Sequence, residues 1–196
     1  MKLLPYGPRA VLVEFDHLEQ VMAAATLWRA ATMPGVIDVV PAARTVLVQH
    51  DGRLDVAMLR APDDHAPLPE GELVHVPVRY DGEDLAAVAR TCHLSLDEVI
   101  ARHSDAEYTV AFCGFMPGFS YLVGLDARLV LPRRHTPRTR VPAGAVAIAS
   151  TFTAVYPGTS PGGWHLLGTT DLAMWDATRD VPATLPPGTR VRFVPR

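Results

Sequence analysis

The pattern of apolar and polar positions near the start of the chain predicts a small unit of strands and helices. Residues 10–15, Ala-Val-Leu-Val-Glu-Phe, look like a strand, whereas residues 17–31 place apolar side chains three and four positions apart, which is helical spacing. Two further strand-like runs follow at 36–40 and 45–49, and residues 54–60 have helical character. We therefore expect helices on one face of an antiparallel sheet, which is an α+β arrangement.

A polar segment separates this first unit from the rest of the chain. Residues 61–71 contain three prolines among charged and small residues, a composition typical of a linker. We predict a small α+β (ferredoxin-like) domain at residues 1–62, a linker at 63–72 and a second domain at 73–196.

The second domain has the pattern of a β-rich fold with two short helices. Residues 74–80 alternate as a strand, and Pro77 predicts that this strand is bulged or lies at a sheet edge. Helical segments follow at 84–91 and 95–102, and the second opens with a capping box, Ser-Leu-Asp-Glu. The many short strands and turns beyond these helices favour a closed or nearly closed β barrel.

Composition narrows the possible functions. A chain of 196 residues with 48% hydrophobic content can bury a core, and a net charge of −3 does not favour nucleic acid or an anionic membrane as a partner. No apolar run has the roughly 20 residues of a membrane span, so we expect a cytoplasmic protein. Cys92 and Cys113 lack the spacing of a metal site or a disulfide scaffold. The sequence also has no GxxxxGK[ST] phosphate-binding loop.

Two segments rich in glycine and aromatic residues have the strongest functional signal. They are residues 114–121 and residues 158–164, the second ending in Pro-Gly-Gly-Trp. Adjacent glycines after a proline permit a positive φ and a close approach of the backbone to a ligand or another chain. The segment between them, 131–142, contains four arginines that could hold a carboxylate or phosphate, or form solvated surface. We predict a binding site where the two segments meet.

Few side chains in these segments are suited to catalysis. His165 alternates with Trp164, so one of the two faces a cavity and the other does not, and a structurally hydrogen-bonded His165 is an equal alternative. Ser160 lies in a loop that suits a nucleophile, but the chain lacks a GxSxG elbow and a spaced Ser/His/Asp set. No metal or acid-base pair is evident among the scattered carboxylates. The catalytic set is therefore incomplete, and the missing groups could come from a partner subunit.

Several longer motifs resemble one known family. The chain is similar to the family of 5-oxoprolinase B subunits, also known as allophanate hydrolase subunit 1 and including the kinase inhibitor KipI, in residues 114–125, 132–149, 156–157 and 160–164. Residues 34–41 and 190–195 also look like the family's opening and closing segments, so the likeness covers essentially the whole chain.

The resemblance implies a fold, partners and a reaction. It implies an α+β N-terminal domain followed by a mainly-β, cyclophilin-like barrel, although such a barrel does not by itself imply proline isomerase activity. The implied partner is the C subunit of 5-oxoprolinase, also called allophanate hydrolase subunit 2. In 5-oxoprolinase these two act with a third subunit to open 5-oxo-L-proline to L-glutamate at the expense of ATP. ATP is thus expected at the level of the complex.

We therefore expect a subunit of an ATP-dependent cyclic amide hydrolase that is inactive without its partner. On this hypothesis His165 and Ser160 are the catalytic candidates and no residue binds a metal. A small anionic substrate would be bound by Phe115, Pro117, Gly118, Phe119, Arg133, Arg138, Tyr156, Pro161, Gly162, Gly163 and Trp164. The alternatives are a KipI-like inhibitor of a sensor histidine kinase and a hydrolase of allophanate or a urea-derived amide.

Overall fold

The structure, a computed structural model, describes residues 1–60 and 71–196. The chain divides into two compact units, Met1–Pro69 and Glu70–Arg196. It is a mixed α/β protein with a nearly closed β barrel and few helices, as expected. Nearly all of the predicted linker, 63–72, lies outside the described residues, and the proposed domain bounds stay a prediction. Among the helices of the described residues, none is long and apolar enough to cross a membrane.

Within residues 1–60, the first unit is an antiparallel sheet with one α-helix. Its strands pair in the order β1, β2, β4, β3. The elements in chain order are β1 (Lys2–Pro5), β2 (Ala10–Glu14), α1 (Leu18–Ala30), β3 (Val36–Pro41) and β4 (Thr45–His50).

The helix of the first unit packs on the sheet with the apolar face that its sequence periodicity predicts. Val21, Ala25 and Trp28 of α1 are buried against apolar side chains of the sheet. The Trp28 indole N–H also donates to the carbonyl oxygen of Arg60 at 3.1 Å. Only a 3-10 turn, Val56–Met58, is found where helical character was predicted for 54–60. The ferredoxin-like assignment of this unit stays a prediction.

The second unit contains most of the strands. Its elements in chain order are β5 (Leu73–Val78), α2 (Leu85–Cys92), α3 (Leu96–Ser104), β6 (Tyr108–Cys113), β7 (Ser120–Val123), β8 (Arg138–Val141), β9 (Ala145–Ala149), β10 (Phe152–Val155), β11 (Ser160–Gly162), β12 (His165–Thr169) and β13 (Arg190–Pro195). The predicted capping box of α3 is confirmed, since Ser95 N donates to Glu98 Oε2 at 2.8 Å and Glu98 N donates to Ser95 Oγ at 3.2 Å.

Seven of these strands form the barrel. They pair in the order β12, β9, β10, β7, β6, β13, β5, and the pairing of β13 with β5 is parallel. The two ends of the sheet meet just beyond β5, where Arg79 N donates to Thr169 O at 2.9 Å and Thr169 N donates to Arg79 O at 2.8 Å. Pro77 lies in β5, the last strand of the sheet, which confirms its predicted edge position. Strands β8 and β11 form a separate two-stranded sheet.

A fully buried histidine joins α3 to the barrel strands. The ring of His103 stacks on Phe193 with centroids 4.5 Å apart. The Thr153 hydroxyl donates to the carbonyl oxygen of Ala147 at 3.1 Å, so it must accept from His103 Nε2, 2.9 Å away. His103 Nδ1 is then the acceptor for the Tyr80 hydroxyl at 2.8 Å. Burial lowers the pKa of His103 to about 3, so the ring is neutral near pH 7.

Candidate functional site

The two predicted glycine-aromatic segments meet in the second unit. The ring centroids of Phe119 and Trp164 are 5.5 Å apart in an edge-to-face arrangement. Tyr156 packs on the same Phe119 ring with centroids 5.2 Å apart, also edge to face. Aromatic rings attract one another in this geometry. The prediction that the two segments converge is confirmed.

A small pocket opens where the segments meet. Its cavity volume is about 80 Å³, and its lining residues are Phe115, Phe119, Tyr121, Arg133, Tyr156, Pro161, Gly162, Gly163 and Trp164. All of these except Tyr121 were predicted as binding residues from the sequence. The described residues that line two larger depressions, of about 550 Å³ beside α3 and about 260 Å³ beside α1 and β3, include none from the glycine-aromatic segments 114–121 and 158–164. The small aromatic pocket is therefore the candidate site.

The second segment is shaped by a close contact between Gly162 and Tyr156. Tyr156 is buried, and a Cβ at Gly162 would lie 2.4 Å from the Tyr156 hydroxyl oxygen. Neither Gly162 nor Gly163 has the positive φ that adjacent glycines permit. The glycine at 162 is needed because the Tyr156 side chain occupies the space of a side chain there.

Alanine at these two glycines should give different results. We expect Gly162→Ala to displace the Tyr156 ring and lower the free energy of unfolding by about 1–3 kcal/mol, as overpacking does. At Gly163 the nearest atoms to an added Cβ are 3.7 Å away, an ordinary contact, so Gly163→Ala should leave stability nearly unchanged. Urea denaturation of the two variants measures the difference, and equal stabilities would contradict the assigned role of Gly162.

The first segment turns sharply at two residues that lie beside the pocket. Gly118 has a φ of +80°, and a Cβ there would lie 2.8 Å from the Cβ of Trp175. Gly118 and the exposed Pro117 are not among the lining residues, and they shape the turn that carries Phe119. Phe115 has a φ of +68° although it is not glycine, and 62% of it is exposed. This strained conformation holds an aromatic ring at the pocket rim.

The pocket presents hydrogen-bond donors and one positive charge. Arg133 is the only charged residue that lines it, and the structure shows no ion pair or hydrogen bond of Arg133 with the other described residues. Burial raises the pKa of both Tyr121 and Tyr156, although the charge of Arg133 acts in the opposite direction. Both hydroxyls therefore stay protonated and can donate. This arrangement suits a small anion that also carries apolar surface.

The predicted binding residue Arg138 lies in an ion-pair cluster outside the pocket lining. Arg138 Nη2 lies 2.8 Å from Asp84 Oδ1, and Arg134 Nη1 lies 2.6 Å from the same oxygen. Asp84 Oδ2 accepts from the backbone N–H of Leu166 at 2.8 Å. Burial alone would raise the pKa of Asp84, but these hydrogen bonds and the two guanidinium charges lower it below its usual value. A role of Arg138 in substrate binding stays a prediction.

The two catalytic candidates also lie outside the pocket lining. His165 Nε2 is 2.9 Å from the carbonyl oxygen of Pro132, an acceptor only, so Nε2 carries a proton and donates it. The hydroxyl oxygen of Ser160 is buried and has no hydrogen-bond partner among the described residues. Among the described residues, no carboxylate or imidazole lines the pocket. Catalytic roles for His165 and Ser160 stay predictions.

Tyr121 in the pocket and Asp84 beside it are not among the binding residues predicted from the sequence. Tyr121 was named within the first motif, and its alternation with the buried Leu122 in β7 was the available signal. Asp84 had only a weak signal, its position directly before α2, because its arginine partners lie 50 and 54 residues away. Within residues 1–60 and 71–196, no group of three or more His, Cys, Asp or Glu side chains is placed to hold a metal ion.

The sequence of this chain is similar to one family model and to proteins of known name. Residues 1–185 match the family model described as carboxyltransferase domain, subdomain C and D. The chain is 39% identical to the 5-oxoprolinase B subunit of Escherichia coli O157:H7 over an alignment of 204 residues, which covers 97% of this chain and 94% of that protein. It is 45% identical to the protein of the same name from Bacillus subtilis (strain 168) over 125 residues, covering 62% of this chain and 52% of that protein.

Solved structures share the fold. A crystal structure of TTHA0988 superimposes with a TM-score of 0.81 at 39% identity, covering 96% of this chain and 40% of that chain. This chain therefore corresponds to about two fifths of TTHA0988. The urea carboxylase of Kluyveromyces lactis superimposes with a TM-score of 0.75 over 99% of this chain and 21% of that chain, and at 20% identity this likeness concerns the fold alone.

Proposed function

This chain belongs to the family of 5-oxoprolinase B subunits (allophanate hydrolase subunit 1), and on that premise we propose that it is one subunit of a heteromeric, ATP-dependent 5-oxoprolinase. The wider family to which it belongs is that of carboxyltransferase domains, subdomain C and D. The reaction opens 5-oxo-L-proline to L-glutamate at the expense of ATP. In this proposal the barrel is of the cyclophilin-like type and the complex is cytoplasmic.

The composition of the aromatic pocket is the observation that carries this proposal. 5-Oxoproline is a five-membered ring with one carboxylate and one cyclic amide. The aromatic walls around Phe119 and Trp164 can hold the ring, and Arg133 can hold the carboxylate through charge-assisted hydrogen bonds. The protonated hydroxyls of Tyr121 and Tyr156 can donate to the amide oxygen, where negative charge develops when the ring is opened.

The chemical groups that line this pocket are too few for the reaction, which favours a partner subunit that supplies the others. Its lining, as far as the structure describes the chain, contains no carboxylate or imidazole that could act as a general base, and the sequence has no GxxxxGK[ST] loop for ATP. We therefore assign ATP binding and water activation to the other subunits, namely a homologue of the C subunit (allophanate hydrolase subunit 2) and a third subunit. The exposed ring of Phe115 at the pocket rim would be covered when the partner closes the site.

A reconstitution assay tests this function. We expect ATP-dependent formation of glutamate from 5-oxoproline when the chain is mixed with its C-subunit homologue and the third subunit, and none when any subunit or ATP is omitted. Glutamate formed by this chain alone would contradict the shared site. An assembled complex that leaves 5-oxoproline unchanged would contradict the proposed substrate.

The family description favours one second candidate. The matched model is named for a carboxyltransferase domain, which is consistent with chemistry on allophanate or another urea-derived amide. The assembled complex should therefore also be given allophanate. Turnover of allophanate without turnover of 5-oxoproline would replace the leading proposal with this one.

A further inference from the structure

Arg133 and Trp164 lie on two short segments that run beside each other at the pocket. Arg134 N donates to the carbonyl oxygen of Gly163 at 2.8 Å, which ties the residue after Arg133 to the residue before Trp164. His165 Nε2–H donates to the carbonyl oxygen of Pro132 at 2.9 Å, which ties the residue before Arg133 to the residue after Trp164. Two hydrogen bonds thus lie on either side of Arg133, the one cation among the described lining residues, and of Trp164, one of the aromatic walls.

In the second of these hydrogen bonds the donor is the imidazole of His165 and not a backbone N–H. The hydrogen bond from Arg134 N to Gly163 O is between backbone atoms, whereas the bond to Pro132 O comes from the His165 side chain. A single substitution of His165 can therefore remove the second bond and leave the backbone intact. His165 belongs to β12, a strand of the barrel, so its imidazole is attached to a rigid part of the backbone.

A buried carboxylate anchors the same two segments a second time. Asp84 accepts from the backbone N–H of Leu166, next to His165, and pairs with the guanidinium of Arg134, next to Arg133. This contact also commits Arg134 to a structural ion pair, so the guanidinium of Arg133 is the one left to the pocket.

We propose that His165 is a positioning residue that holds the backbone of residues 132–134 against the Trp164 segment and so sets the Arg133 guanidinium at the pocket for the carboxylate of the substrate. The identity of the substrate, 5-oxoproline, rests on the proposed function, whereas the positioning of Arg133 by His165 does not. The placement matters because a bound carboxylate gains most from a guanidinium that needs no rearrangement to meet it.

Kinetics of the assembled complex provide the first test. We expect Arg133→Ala to raise the KM for 5-oxoproline about 10- to 100-fold, the range for a hydrogen bond to a charged group, with the KM for ATP unchanged. His165→Ala should raise the same KM about fivefold, which corresponds to one neutral hydrogen bond. His165→Gln should stay within about twofold of the wild type, because its amide nitrogen can donate to the Pro132 carbonyl in place of Nε2.

Matched controls come from the same segment. Arg140 and His135 are exposed and do not line the pocket, so Arg140→Ala and His135→Ala should leave both KM values unchanged. A fall in kcat with an unchanged KM in His165→Ala, with no rescue by His165→Gln, would assign His165 to proton transfer and overturn the positioning role.

Hydrogen exchange of the chain alone provides a test that needs neither substrate nor activity. In His165→Ala we expect the Arg134 amide, which donates to Gly163, to exchange roughly fivefold faster, while His165→Gln keeps the wild-type rate. Unchanged exchange in His165→Ala would overturn the inference. If the wild-type complex does not turn over 5-oxoproline, the proposed function fails, and the exchange experiment still decides whether His165 holds the Arg133 segment.

Discussion

Replacing Asp84 with alanine should lower the free energy of unfolding by about 3–5 kcal/mol, the usual cost of removing one partner of a buried ion pair. Asp84 is only 3% exposed, and it accepts hydrogen bonds from Arg134, Arg138 and the backbone N–H of Leu166. Without the carboxylate, the Leu166 N–H loses its partner, and the largely buried Arg138 guanidinium is left with the exposed Glu83, whose Oε2 lies 3.2 Å from Arg138 Nη2. Urea denaturation followed by circular dichroism measures the loss.

One further variant separates charge from hydrogen bonding at this position, and a second, elsewhere on the surface, is its control. Asp84→Asn keeps an acceptor for the Leu166 N–H but removes the negative charge, so we expect a loss smaller than that of the alanine variant. Asp180→Asn removes an exposed carboxylate and should change stability by less than about 0.5 kcal/mol. A loss below about 1 kcal/mol in Asp84→Ala would show that the buried cluster is not a stabilising feature.

Acidification should destabilise the second unit through His103 before the carboxylates titrate. The pKa of His103 is lowered from 6.5 to about 3 by burial, so below pH 6.5 the unfolded chain takes up a proton that the folded chain does not. The stabilising contribution of the neutral ring is fully present above pH 6.5 and is lost as the pH falls toward 3. We expect a loss of about 3 kcal/mol between about pH 6.5 and about pH 4.

The pH dependence can be assigned to this histidine by substitution. His103→Gln should be less stable at neutral pH, because its geometry between Tyr80 and Thr153 is poorer, but its stability should vary much less across the same acid range. His75→Gln changes an exposed histidine and should keep the wild-type slope. The pKa of Asp84 is lowered from 3.8, so its stabilising contribution is lost only below that range. A wild-type slope in His103→Gln would contradict the assignment.

Local sequence signals predicted the parts of the fold that depend on neighbouring residues. The apolar spacing of α1, the capping box at Ser95 and the edge position of Pro77 each follow from a few adjacent residues, and the structure confirms all three. The strand β1 was not predicted, because its sequence, Lys-Leu-Leu-Pro, has no clear alternation and is ordered by pairing with β2.

Long-range contacts explain what the sequence could not predict at the site. The two glycine-aromatic segments were rightly expected to meet, but the reason for Gly162 is the hydroxyl of Tyr156 and not a positive φ. The structural partners of Asp84, Arg134 and His165 likewise come from distant parts of the chain. Contacts of this kind depend on the nearly closed barrel, and residue spacing does not encode them directly.

The position of β13 makes the barrel depend on residues far from its other strands in sequence. This strand, Arg190–Pro195, lies between β5 and β6 and pairs with both, yet the family match ends at residue 185. A chain cut at that boundary would lack β13, so β5 and β6 would lose the strand that joins them, and Tyr108 and Val76 would be exposed to water. During synthesis the barrel can close only after β13 leaves the ribosome, so until then its unpaired edges would need protection from aggregation.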